Sequence, residues 1–137
     1  MTARENFASG APWEPRVGYS RAVKVGRQVW VSGTTATAAD GTLVGIGDAY
    51  AQAKQALANI AAALAQAGVT PADVVRTRIY VTDIANWEAV GRAHAEMFGA
   101  VRPAATMVEV KRLIDPAMLV EIEADAAIAA PTGDGGR

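Results

Sequence analysis

The chain has 137 residues, 51% of them hydrophobic and 20% charged, with a formal net charge of −1 from 13 basic and 14 acidic residues. That length makes one domain with its own core, and that balance supplies no global field to draw in nucleic acid or an anionic membrane. Zero cysteine excludes disulfides, thiolate metal sites and a cysteine nucleophile, and it suits a reducing compartment, so a cytoplasmic protein is expected.

Residues 1–16, with Gly10, Pro12 and Pro15 around Trp13, read as a loop-like arm without the apolar stretch of a secretory leader. Residues 17–25 alternate, which places Val17, Tyr19, Arg21 and Val23 on one face of a strand. Gly26-Arg27 then turns the chain into a second strand over 28–33, forming a hairpin. Residues 34–47 are small, polar and punctuated by glycine, and read as loop with at most a short edge strand.

Asp48 is an N-cap residue for a helix over 49–67, whose Ala53, Leu57, Ile60, Leu64 and Ala67 recur at three and four and which Gly68 closes. Thr70-Pro71-Ala72-Asp73 has capping-box spacing and opens a short turn. Residues 74–82 form a strand with Val75, Thr77, Ile79 and Val81 opposite Arg76, Arg78, Tyr80 and Thr82. Asn86 caps a second helix that buries Val90, Ala93, Met97 and Phe98 and ends at Gly99.

Two strands follow, over 102–110 and 119–125, separated by Ile114-Asp115-Pro116. In the first, Thr106, Val108 and Val110 form the core face, opposite Ala105, Met107, Glu109 and Lys111. In the second, Val120, Ile122, Ala124 and Ala126 oppose Glu121, Glu123 and Asp125. The Gly-rich segment 131–137 reads as a disordered tail, leaving a single domain over 17–130.

The order ββ-α-β-α-ββ with two amphipathic helices implies a two-layer α+β domain with both helices on one face of the sheet. The uncovered face then carries Arg21, Arg76, Arg78, Glu109, Glu121, Glu123 and Asp125, with Tyr19, Tyr80 and Met107 among them. Aromatic and apolar groups on such a face call for cover by further copies of the chain.

Several chemistries find no support. His94 is the sole histidine, so no histidine metal cluster and no catalytic histidine pair exists, and a lone helical histidine reads first as a packing residue. Gly45-Ile46-Gly47 before Asp48 lacks the third glycine and the strand context of a phosphate loop, and reads as a turn. Nothing calls for a metal or a cofactor. Glu121 and Glu123 lie two apart on one strand face, roughly 7 Å from each other. They suit general acid–base work on a small molecule, or they are matched by Arg21, Arg76 and Arg78 across the sheet.

Gly18-Tyr19-Ser20, Val31-Ser32-Gly33, Tyr80-Val81-Thr82-Asp83, Arg102-Pro103-Ala104 with Val108-Glu109-Val110, and Val120-Glu121-Ile122-Glu123-Ala124 together resemble the Rid family (YjgF, often labelled endoribonuclease L-PSP). The resemblance implies a chorismate-mutase-like fold and a homotrimeric, barrel-like assembly with a small-molecule cleft at each subunit interface. In the family's deaminating branch, water hydrolyses enamines and imines such as 2-aminoacrylate. An arginine directly after the Arg-Pro-Ala motif clamps the substrate carboxylate there. This chain has Ala105 at that position, Gly91 where the family has asparagine, and His94 where it has tyrosine.

By resemblance, Glu121 and Ser32 are the candidate catalytic residues. Tyr19, Arg21, Gly33, Trp87, Ala105, Thr106 and Glu123 are the candidate substrate-binding residues, with Arg21 a possible substitute for the missing arginine. Hydrolysis or tautomerisation of a reactive imine or enamine is the expected activity. A non-catalytic metabolite-binding trimer is the alternative, and RNA cleavage a remote one.

Overall fold

Val120, Ile122, Ala124 and Ala126 are buried in strict alternation with half-buried Glu121, Glu123 and Asp125, and this strand is the central axis of the sheet. The computed structural model describes residues 3–130, so the expected tail at 131–137 lies outside the described residues. The elements run β1 (Arg4–Phe7), α1 (Trp13–Val17), β2 (Ala22–Val25), β3 (Gln28–Thr34), α2 (Ala49–Gln66), β4 (Val74–Val81), α3 (Trp87–Phe98), β5 (Ala104–Glu109) and β6 (Val120–Ala127). Six strands form one sheet in the order β1-β2-β3-β6-β4-β5. Every pairing is antiparallel except β4–β5, where α3 supplies the crossover a parallel pair needs.

The helices cover one face, as expected. Leu57, Ile60 and Leu64 of α2 and Val90 and Phe98 of α3 pack on Val29, Val31, Ile79, Val81 and the apolar row of β6. Asp48 caps α2 by accepting from Ala51 N–H at 3.0 Å, and Gly68 leaves the helix in the left-handed region at φ 79°. The predicted capping box also forms, with Thr70 N–H donating to Asp73 Oδ2 at 3.0 Å.

Four expectations need correction. The segment read as a loop-like arm carries β1, which pairs antiparallel with β2, and the short α1. The strand expected from residue 17 begins at Ala22; Val17 ends α1, and Gly18 reverses the chain at φ 91°, so Tyr19 and Arg21 sit in a connection. On β4 a bulge inserts Val75 between Val74 and Arg76, which turns Val75 out to 51% exposure.

The fourth correction concerns β5. Its register with β4 sets Ala105, Met107 and Glu109 level with Thr77, Ile79 and Val81, so these three face the helices and Thr106 and Val108 face away. Glu109 therefore leaves the uncovered face; its Oε1 accepts from Ile84 N–H at 3.0 Å, in the 3₁₀ turn that precedes α3. Asn86 holds the N-cap position of α3 without a side-chain bond. Asp83 accepts from Ala85 N–H at 2.9 Å instead.

Candidate functional site

The site begins with an irregularity in β3. Val31 pairs with Ala124 and Thr34 with Ile122, so Ser32 and Gly33 together oppose Glu123 in a β-bulge. The missing side chain at Gly33 leaves a space that the Glu121 carboxylate fills. A Cβ built on Gly33 would collide with Glu121 Oε2. Burial pushes the Glu121 carboxyl above the usual carboxylate range; the Arg21 charge opposes that shift and the Glu123 charge adds to it. Glu121 accepts no hydrogen bond from any other described residue, which leaves it free to exchange protons with a bound molecule.

Arg21 is held from several sides. Its Nη1 donates to Gly33 O and to Thr34 Oγ1, both at 2.8 Å. Its Nη2 reaches Tyr19 Oη at 3.4 Å, and its guanidinium lies 5.7 Å from the centre of the Tyr19 ring. Its buried Nε lies 3.6 Å from Glu14 Oε2, too long for a hydrogen bond. Glu14 is itself only 5% exposed and accepts from Ser9 N–H at 3.1 Å. The ion partner of Arg21 is thus Glu14 of α1, which the sequence reading missed. No spacing signal links the two, because a helix end and a glycine reversal lie between them.

Ser32 Oγ donates to Ser20 O at 2.6 Å, leaving its lone pairs to accept. Ser32 and Tyr19 also line a groove beneath the N-terminal segment, with Asn6, Phe7, Pro12 and Glu14 among its walls. Glu123 is matched across the sheet as one reading expected: Arg78 Nη1 lies 3.3 Å from Glu123 Oε1 and 3.2 Å from Asp125 Oδ2.

Arg21, Gly33 and Glu121 therefore converge within one chain, Tyr19 is tied to them through Arg21, and Ser32 precedes Gly33 in the bulge, whereas Trp87, Ala105 and Thr106 do not join them. Tyr80 is the β4 partner of Glu121, and Val108 lies level with Tyr80 on β5. Ala105 is on the helix side of β5 beside Thr77, whose Oγ1 lies 2.9 Å from His94 Nε2. Thr106 sits beside Arg78, and Trp87 stands 57% exposed at the start of α3. β5 is two strand spacings from β6, about 10 Å.

The model for the endoribonuclease L-PSP family matches residues 10–128. The chain belongs to this family. A solved structure from Mycobacterium tuberculosis, Rv2704 of the YjgF/YER057c/UK114 family, is 52% identical, with a TM-score of 0.84 over 92% of this chain and 100% of that one. A Rid-family protein of unknown function from Yersinia pestis is 35% identical, with a TM-score of 0.82 over 92% of this chain and 100% of that one. An uncharacterized protein of Streptomyces coelicolor is 43% identical over 118 residues, 86% of this chain and 87% of its own. The architecture is accordingly the chorismate-mutase-like fold of YjgF-family proteins. Among the described residues, no helix of this Rid-family chain is long and apolar enough to cross a membrane.

Proposed function

We propose that this Rid-family chain is an imine or enamine hydrolase, or a tautomerase of such compounds, acting on a small molecule held between subunits of a cytoplasmic homotrimer. The observation that carries this reading is Glu121: a half-buried carboxyl beside the Gly33 bulge, without a hydrogen-bond donor among the described residues and within reach of the Arg21 charge. Assembly is supported by the uncovered sheet face, where Trp30 and Val108 remain 41% and 42% exposed, and by the exposed edge strand β5. In a trimer, β5 of one subunit, with Ala105 and Thr106, would complete the Glu121 site of the next.

The chemistry is general acid–base catalysis. Glu121 takes a proton from water as the water oxygen bonds to the carbon of a protonated C=N, and passes that proton to the nitrogen of the carbinolamine. The regenerated carboxylate then takes the hydroxyl proton as the C–N bond breaks and hands it to the departing amine or ammonia, leaving a carbonyl and a protonated amine or ammonium. The Tyr19 hydroxyl, which accepts from Arg21, has its own hydrogen free for the substrate.

Ala105 favours a second reading, a metabolite-binding trimer that kept the cleft without the chemistry. RNA cleavage is disfavoured by the net charge of −1 and by His94 being the sole histidine.

The test generates 2-aminoacrylate in place from serine with a dehydratase and follows the added rate of pyruvate release. The natural chain is expected to add little and Ala105→Arg to gain activity, with Glu121→Gln on that background abolishing the gain. An Ala105→Arg variant that folds, assembles and stays inert supports the binding reading.

A further inference from the structure

The guanidiniums around Glu121 are outnumbered and turned away from it. Arg21 is shared between two carboxylates, Glu14 at 3.6 Å and Glu121, whose ionisation its charge favours. Arg78 is likewise shared between Glu123 at 3.3 Å and Asp125 at 3.2 Å. Of the other cations of this face, Arg76 lies opposite Asp125, at the far end of β6 from Glu121, and Arg4 sits on edge strand β1, three strands from β6, with its Nε donating to Asn6 Oδ1 at 3.1 Å.

Nor can Arg21 form the two-pronged clamp that a carboxylate ligand needs. An arginine offers a carboxylate either Nη1 with Nη2 or Nε with Nη2. Nη1 has committed both hydrogens, to Gly33 O and Thr34 Oγ1. Nε is buried toward Glu14. Each prong pair is therefore missing one member. The clamp position after Arg102-Pro103-Ala104 is empty as well, because Ala105 stands there.

We infer that the site selects a cationic nitrogen ligand without a carboxylate, such as a protonated cyclic imine, amine or amidine, with Glu121 as its counter-ion. This rests on the reading of the Glu121 cleft as the ligand site and adds the charge of the ligand. The ligand supplies positive charge to an acidic row, and the protonated nitrogen points at the one carboxyl of that row that accepts no hydrogen bond from the described residues. A substrate carboxylate would instead meet the row Glu121, Glu123, Asp125, where Arg21 and Arg78 are already held by carboxylates.

The experiment uses three five-membered ring probes of matched size on the full-length chain: pyrrolidinium, tetrahydrofuran and tetrahydrofuran-2-carboxylate. NMR follows the Gly33 amide and the Glu121 carboxyl. Pyrrolidinium is expected to bind at least about tenfold more tightly than the carboxylate, the scale of one charge-assisted hydrogen bond. Folded Glu121→Gln is expected to lose that margin. If the carboxylate binds as tightly as pyrrolidinium, the charge assignment falls while the cleft stands. If no probe shifts Gly33 or Glu121, the cleft falls with it. If folded Glu121→Gln keeps the margin, the counter-ion role is overturned; should that variant not fold, the ranking on the natural chain decides.

Discussion

The Glu121 carboxylate occupies the volume that a side chain on Gly33 would take. The obstacle to a Cβ there is the far end of a flexible side chain, so Gly33→Ala is accommodated by moving Glu121 rather than by breaking β3. The variant is expected to fold with a change in stability of under about 1 kcal/mol and to lose at least about tenfold in ligand affinity. Circular dichroism melts alongside probe titration separate the two quantities. A loss of fold without a change in binding would contradict this relationship.

Glu14→Ala removes a carboxylate that is 5% exposed, which leaves Arg21 without its ion partner and the Ser9 donors without their acceptor. A buried cation left unpaired is among the more damaging lesions, and a loss of about 2 kcal/mol or more is expected in denaturant unfolding. The freed Arg21 should at the same time bind carboxylate probes better than it does in the natural chain. A melt unchanged from the natural chain would show that the pair contributes nothing.

The fold and the site were legible to different depths. The stripe Ala53, Leu57, Ile60, Leu64 announces α2, and the alternation of Val120, Ile122 and Ala124 announces β6, because each pattern records which face meets the core. β1 stayed hidden because Arg4-Glu5-Asn6-Phe7 is an exposed edge strand, held by backbone pairing that needs no apolar face. The faces of β5 were misassigned because both its sides carry small or apolar residues. Its register is set by β4, and no pattern within 102–110 reports that partner. The motif residues marked Glu121, Ser32 and Tyr19, whereas the Glu14–Arg21 pair exists only once α1 and the Gly18 reversal have formed.

Gln52 is fully buried and joins three backbone groups: its Nε2 donates to Gly45 O at 3.1 Å and to Ala117 O at 2.9 Å, and its Oε1 accepts from Leu119 N–H at 2.8 Å. Leu119 lies two residues before Glu121, so this one amide ties α2 to the loop that delivers the candidate catalytic strand. Gln52→Leu is of similar size and leaves all three groups unsatisfied, which should lower stability by about 3 kcal/mol. Hydrogen exchange at Leu119 should accelerate more than exchange in the centre of β6. Equal acceleration at both would point to global loosening instead.

His94 offers a probe of the contact between α3 and β4, since it is the only histidine. Burial holds its imidazole below the ordinary 6.5, with Nε2 at 2.9 Å from Thr77 Oγ1 and the ring 4.8 Å from Phe98. The folded state therefore resists a proton that the unfolded chain accepts. Its contribution is present above pH 6.5 and is lost as pH falls through that value toward the depressed one. The natural chain is expected to lose stability from this source on acidification below 6.5, and His94→Gln to lose none there. Imidazole carbon shifts give the titration directly, and a midpoint above 6.5 would overturn the assignment.

Glu121 has the opposite sign. Its carboxyl is raised by burial, so the folded state holds its proton more tightly than the unfolded chain, whose value is 4.5. Ionising it costs stability as pH rises from 4.5 through the raised value, and that loss persists at neutral pH. Glu121→Gln removes the cost without changing the shape, so the variant is expected to melt higher than the natural chain at pH 7 and equally at pH 4. A cationic probe at saturation should erase the difference at pH 7, because it stabilises only the chain with the charged carboxylate. Thermal melts of both chains at the two pH values, with and without pyrrolidinium, decide it. A variant less stable at pH 7 would mean that Glu121 is held by partners stronger than its desolvation.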